Sequence, residues 1–376
     1  MTIPVWFWTH RAFRARWQTM RRICALAIVF AALPGRAPAQ DPAPHLFHVE
    51  GGVLARWIED DEVQTVRFAA GKPIELPQFA GLLGEKVELV EHKPVQSSWP
   101  MPPKMLVISD VEGEYDSMFA FLRGNEVVDE AGRWQFGKGH LVTVGDMVDR
   151  GDQQTEVLWM LWRLQREAEQ AGGKVHYLLG NHEVMQMAGD VRYLENSYKV
   201  TAQKFGIPPE GLLGADTEIG RWLRSCNSLL RIGPFFFVHA GISPAVGAAK
   251  LDLDAVNADL RGVLGVPPEE IEDQMVAALA WSRLGPFWYR GYFAEYALSF
   301  GPVPSVASMD KILTNLGAES IVIGHTKVEK VKILFGKRRV IAIDIPWTDL
   351  QNVRGLRVEG EKVEVVNHLG VGEPLK

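Results

Sequence analysis

The sequence predicts an α/β protein built on a largely buried central sheet, and three observations point there. Apolar strand-like runs alternate with helical stretches from about residue 104 onward. The chain has 376 residues and is 47% hydrophobic, enough to fill a sizeable core. The texture also changes at SSWPMPP (97–103), where three prolines mark a boundary.

The elements follow in order. Residues 1–39 contain six arginines and no acidic residue. Within them, ICALAIVFAALPG (23–35) has the length of a signal-peptide core, and Ala37-Pro38-Ala39 is a small-x-small cleavage site. A membrane span needs about 20 apolar residues, so this run reads as an export signal and not as a span. The expectation is a periplasmic or secreted protein with no membrane span after cleavage. Residues 40–103 form a small β-rich accessory segment, with VLARWI, VQTVRF and KVELVEH as extended runs. Residues 104–376 form the main domain. In TEVLWMLWRLQREAEQ (155–170), Val157, Leu158, Leu161, Trp162 and Leu164 keep helical spacing and read as core. Residues 245–300 are helical and irregular. Strands return as SIVIGHT, KVKILFG, RRVIAID and GLRVEGEKVEVV, the last a hairpin.

Charge and cysteine content narrow the function. Removing residues 1–39 takes away six of the 40 basic residues and none of the 46 acidic ones, which moves the net charge from −6 to −12. An acidic protein of this kind is not a nucleic-acid binder. Of two cysteines only Cys226 lies beyond residue 39, so no internal disulfide forms after cleavage. SCNSLL places no base beside it, and the thiol reads as packed.

Five apolar runs end in a residue able to bind a cation: KMLVISD at Asp110, HLVTVGD at Asp146, VHYLLGN at Asn181, FFFVHAG at His239 and IVIGHT at His325. Strands of an open α/β sheet present their carboxyl ends at one edge, where ligand sites form. Any single ending is ordinary, but five together make a mixed oxygen and nitrogen set suited to Mn, Fe, Zn or Mg. Beside them, His182 follows Asn181 in GNHE, and Asp149 could orient its imidazole and raise its pKa. Arg150 offers a bidentate fork for phosphate. Cations, a histidine acid and an arginine around one point suit phosphoester hydrolysis.

SDVEGEYD, GDMVDRG, GNHE, FVHAGIS and IVIGHT resemble, in order and spacing, the metallophosphoesterase motifs of the phosphoprotein phosphatase (calcineurin-like) superfamily. GNHEVMQMAGDVRYL, WLRSCNSLL and GPFWYRGY are similar to the Shewanella-like branch. The resemblance covers roughly residues 104–350. It implies a four-layer α/β/β/α metallophosphoesterase sandwich and hydrolysis of phosphate monoesters on phosphoproteins, phosphotyrosine or phosphoserine/threonine, or of small phosphomonoesters, by direct attack of metal-bound water. Two divalent cations are implied, Mn first, with Fe, Zn or Mg as alternatives. Asp110 and Glu112 would bind the first, Asp146 would bridge, and Asn181, His239 and His325 would bind the second. His182 would be the general acid, Asp149 its partner, and Arg150 and Arg290 the phosphate clamps. Arg192 would line the pocket or form a surface ion pair.

Two positions depart from that pattern. The first motif ordinarily reads Gly-Asp-x-His-Gly, and Glu112 stands where its histidine would be. Ala240 separates His239 from Gly241. Besides the phosphoprotein phosphatase, two readings stay open: a nucleotide or dinucleoside polyphosphate hydrolase, and a phosphate-binding protein that has lost one metal at Glu112.

Overall fold

A computed structural model describes residues 40–376. The export signal expected at residues 1–39 lies outside the described residues. Among the described residues no helix is long and apolar enough to cross a membrane.

The described residues form three sheets. Strands β1 (His45–Val49), β2 (Gly52–Glu59) and β3 (Glu62–Ala69) form an antiparallel meander. The other strands are β4 (Ser98–Trp99), β5 (Lys104–Ile108), β6 (His140–Val144), β7 (Lys174–Leu178), β8 (Leu229–Ile232), β9 (Phe235–Val238), β10 (Ser320–Ile323), β11 (Lys332–Leu334), β12 (Val340–Ala342), β13 (Gly355–Glu359), β14 (Lys362–Val366) and β15 (Gly372–Pro374). They build two six-stranded sheets, in the orders β15-β14-β13-β5-β6-β7 and β11-β12-β10-β9-β8-β4.

The layering follows from the two-residue period of strands. In β5, Met105 and Val107 face the second sheet, while Leu106 and Ile108 face the opposite way into a helix-covered core. In β9, Phe235 and Phe237 join Met105 and Val107, while Phe236 and Val238 turn to the other side. The inner faces of the two sheets therefore share one apolar core. The first sheet is covered outside by the helix Gln154–Gln170, whose Val157, Leu158, Leu161, Trp162 and Leu164 are all buried. The second is covered by Val306–Leu316 through Met309, Ile312, Leu313 and Leu316. This gives helix, sheet, sheet and helix, the four layers implied by the motifs. Cys226 lies in the first core, and burial pushes its thiol well above the usual range.

The meander packs on the helix Asn196–Phe205, where Phe47 and Ile58 meet Leu194, Tyr198 and Phe205. Two sequence expectations change here. KVELVEH forms no strand: Val87 makes one isolated bridge to Ile74, and the segment pairs with no strand of the three sheets. Within SSWPMPP, Ser98–Trp99 pairs with Arg231–Ile232 of β8, so the second sheet begins inside the proline-rich stretch. The hairpin of β13 and β14 turns at Gly360, as the alternation predicts.

Candidate metal centre

The five run endings come together at the carboxyl ends of β5, β6, β7, β9 and β10. Several turn sharply there. Asp110 (φ 49°), Glu112 (51°), Asp146 (56°), Asp149 (70°), Arg150 (63°) and His325 (63°) all occupy the left-handed region. Such backbone costs about 1–3 kcal/mol per residue and concentrates at functional sites. Asp and His tolerate it better than most residues. Gly145 (φ +86°) has a further constraint, since a Cβ there would lie 2.6 Å from Nδ1 of His239. Ala240, in contrast, has no positive φ, so its methyl group costs nothing.

Nδ1 of His239 lies 2.8 Å from the Val144 carbonyl, to which it donates, leaving Nε2 aimed inward. Around Nε2 sit Asn181 Oδ1 at 2.9 Å, Asp146 Oδ2 at 3.1 Å and His325 Nδ1 at 3.1 Å. All four residues are buried. A single proton can serve one of these three contacts, whereas a cation can take all four side-chain atoms as ligands. Adjacent ligands on an octahedral ion at about 2.1 Å stand about 3 Å apart, which is the spacing seen. Asp146, His239 and His325 can thus hold a metal ion together.

Asp110 occupies the neighbouring position. The His325 backbone N–H donates to both of its oxygens at 3.1 Å, and the Ser109 hydroxyl donates to Oδ2. Burial, then Asp344 and Asp146, push its carboxyl well above the usual range. Glu112 lies in the same cleft, with Oε1 paired to Arg150 and Oε2 3.4 Å from Lys327 Nζ. Burial raises its pKa, against the pull of those two cations. A carboxylate has about four lone-pair positions, so these contacts leave room for a further cation.

His182 Nδ1 is 2.6 Å from Asp149 Oδ2, and its Nε2 is 3.7 Å from Asp146 Oδ2. Burial works against the charged ring, but Asp146 and Asp149 outweigh it and raise the pKa. Arg150 stacks over Tyr193 at 5.2 Å, and Arg290 reaches Thr326 Oγ1 at 3.3 Å. Both arginines, with His182 and His325, border two cavities. One, of about 330 Å³, also includes Asp110, Glu112 and Asp146. The other, of about 600 Å³, is walled by Tyr193, Trp281, Trp288 and Phe300. Arg192 borders this larger cavity and is also paired with Asp190 at 2.8 Å. A hollow of about 840 Å³ beside the meander holds no such convergence of cation-binding groups.

Three features escaped the sequence reading. Glu183 is fully buried and accepts from the backbone of Asp146 (3.1 Å), Met147 (2.8 Å) and Gly180 (2.6 Å) and from the Tyr177 hydroxyl (2.8 Å). It fastens the Asp146 loop to the Asn181 loop. Asp344, one position past Ile343 at the end of RRVIAID, is buried, and both side-chain oxygens lack a hydrogen-bond partner among the described residues. Burial, then Glu112, push it up to about 7. Its signal was available, because RRVIAID ends in a carboxylate like the other runs. Of the aromatic walls, Tyr193 and Trp288 lie in GNHEVMQMAGDVRYL and GPFWYRGY but were not read as pocket residues, and Trp281 and Phe300 carried no signal of their own.

Four carboxylates crowd a site bordered by Arg150, Arg290 and Lys327, and divalent ions fit the negative charge that remains. Such a centre, on a four-layer sandwich and beside a histidine acid and two arginines, defines a metal-dependent phosphoesterase. Residues 103–329 match the family model described as calcineurin-like phosphoesterase, and the chain belongs to that family. It is a metallophosphoesterase, an enzyme of the phosphatase class, and the family works with divalent metal ions. Within the family it is similar to Shewanella-like protein phosphatase 2 of Arabidopsis thaliana, 35% identical over 280 residues that cover 62% of this chain and 68% of that one. Shewanella-like protein phosphatase 1 of Plasmodium berghei is 24% identical, over 60% of this chain and 61% of its own. Among solved structures, a cold-active protein-tyrosine phosphatase of a psychrophilic Shewanella species superposes with a TM-score of 0.80 at 33% identity, covering 89% of this chain and 99% of that one.

Proposed function

We propose that the chain is a dinuclear phosphoprotein phosphatase acting on phosphate monoesters, with phosphotyrosine among its substrates. The observation that carries this reading is the convergence of Asn181 Oδ1, His239 Nε2, His325 Nδ1 and Asp146 Oδ2 beside the His182–Asp149 pair. Asn181, His239 and His325 would hold one cation, Asp110 and Glu112 the other, and Asp146 would bridge. Bound there, the cations would activate a water and neutralise phosphoryl oxygens.

The protein's own groups would do the rest. Arg150 and Arg290, which border both cavities, would hold the non-bridging phosphate oxygens by charge-assisted hydrogen bonds. His182, kept protonated and oriented by Asp149, would donate its proton to the leaving oxygen. No cysteine nucleophile is required, and buried Cys226 takes no part. The larger cavity, with Tyr193 and Trp288 as walls, would take an aromatic leaving group edge to face or stacked. The printed activity of the Shewanella neighbour, a protein-tyrosine phosphatase, favours the same substrate class. An exported enzyme, as residues 1–39 suggest, would meet phosphoproteins outside the cytoplasm.

The test compares kcat/KM on a phosphotyrosine peptide, a phosphoserine peptide and diadenosine tetraphosphate. Preference for a phosphopeptide is expected. Faster cleavage of the dinucleotide would replace this reading with nucleotide hydrolysis, and no hydrolysis of any would favour a binding protein.

A further inference from the structure

We propose that Asp344 is a ligand of the first cation, supplying a carboxylate at the centre where Glu112 has replaced an imidazole. The inference rests on the dinuclear reading above and assigns one more residue to it.

Register puts Asp344 in place. Strands β10 and β12 are parallel, with Ile323 opposite Ala342, so two residues on Asp344 falls opposite His325. The backbone there is fixed, since Ile343 donates to the Ile323 carbonyl at 2.9 Å and Val328 donates to the Asp344 carbonyl at 2.9 Å. The His325 backbone N–H in turn donates to both oxygens of Asp110 at 3.1 Å. Asp344 thus lies on the side of the centre that Asp110 occupies.

The side chain has no other occupation. Asp344 is 1% exposed, and among the described residues neither carboxylate oxygen has a hydrogen-bond partner. An uncompensated buried carboxylate is strongly unfavourable. A divalent cation would compensate that charge. Glu112 meanwhile divides its oxygens between Arg150 and Lys327, leaving its hold on a cation shared with two competitors. Among the described residues Asp344 has neither a hydrogen bond nor an ion pair, and its two oxygens are hard donors suited to Mn or Mg.

The experiment measures Mn(II) binding by calorimetry and electron paramagnetic resonance on the purified wild type, Asp344→Asn and Asp344→Ala, with circular dichroism to show that each is folded. The isosteric Asp344→Asn carries the test if Asp344→Ala does not fold. Wild type should bind two equivalents and give a spin-coupled signal. Asp344→Asn should bind one of them about 10- to 100-fold more weakly and lose the coupled signal at sub-saturating Mn. Two equivalents at wild-type affinity in Asp344→Asn would overturn the assignment alone. A wild type that binds fewer than two would overturn the dinuclear reading itself, and the assignment with it.

Discussion

His182 and Asp149 form a closed pair: Nδ1 and Oδ2 stand 2.6 Å apart, both side chains are buried, and the opposite ring nitrogen faces Asp146. The carboxylate fixes which nitrogen carries the mobile proton. Replacing His182 with Asn should leave metal content near wild type and lower kcat about 10²- to 10⁴-fold, the scale of a lost acid or base. Metal loss in that variant would instead make His182 a ligand.

Asp149→Asn tests the same pair through pH. Because Asp146 and Asp149 raise the His182 pKa, the acid form dominates below that raised value and activity should fall as pH rises through it. Removing one of the two carboxylates should move this basic limb to lower pH as well as lower kcat. A profile that does not move would show Asp149 to be structural.

Arg150 borders both cavities and is held by Glu112 and Tyr193. Arg150→Ala should lower kcat/KM about 10- to 100-fold, the worth of one or two charge-assisted hydrogen bonds. Inhibition by inorganic phosphate should weaken in parallel. Unchanged phosphate inhibition would remove Arg150 from the phosphate site.

Glu112 can be separated from Asp344 by charge. Glu112→His restores a neutral donor, so the first cation becomes the stronger Lewis acid and the acidic limb of the kcat profile should shift downward with Mn supplied. Glu112→Ala should deplete one metal and release Arg150 and Lys327. Both metals and an unchanged profile in Glu112→Ala would place Glu112 outside the coordination sphere.

Glu218 offers a test of stability away from the centre. It is buried, and its oxygens lie 2.7 Å from His48 and 2.7 Å from His92, with the Trp162 indole at 3.2 Å. Burial raises its pKa, but His92 and His48 outweigh that and leave it below the ordinary 4.5. A carboxylate with a depressed folded pKa stabilises fully above the unfolded value and loses that effect as pH falls through the folded one. Glu218→Gln should lower stability at neutral pH by about 1.5 kcal/mol, the worth of weakened hydrogen bonds to a charged group. In denaturant titrations the deficit should shrink below about pH 4.5. A constant deficit down to pH 3 would contradict it.

The strand tips were legible because each ligand-type residue directly follows an apolar run, so Asp110, Asp146, Asn181, His239 and His325 announce themselves locally. The layer order was legible through motif resemblance, and the alternation of Phe235 to Val238 then shows why both faces of the second sheet are covered. Glu183 was not legible as a fastener, because its partners are mostly backbone N–H groups, which leave no mark in a sequence. KVELVEH has strand-like texture, yet it makes only the isolated bridge from Val87 to Ile74. The contact of Arg150 with Tyr193 joins two loops whose approach is decided by tertiary packing alone.

The two large sheets meet through apolar side chains, yet the cation-binding groups come from both: Asp110, Asp146 and Asn181 from the first, His239 and His325 from the second. A filled centre is then a cross-link between layers, in a protein whose described residues include one cysteine and no disulfide. Unlike a disulfide, this link is open to mass action. Ligand at 100 times its dissociation constant adds about 2.7 kcal/mol to folding stability, and each further tenfold adds about 1.4. The melting temperature should therefore report the free metal concentration around the molecule, and metal starvation would expose the chain to unfolding and proteolysis as well as silence it.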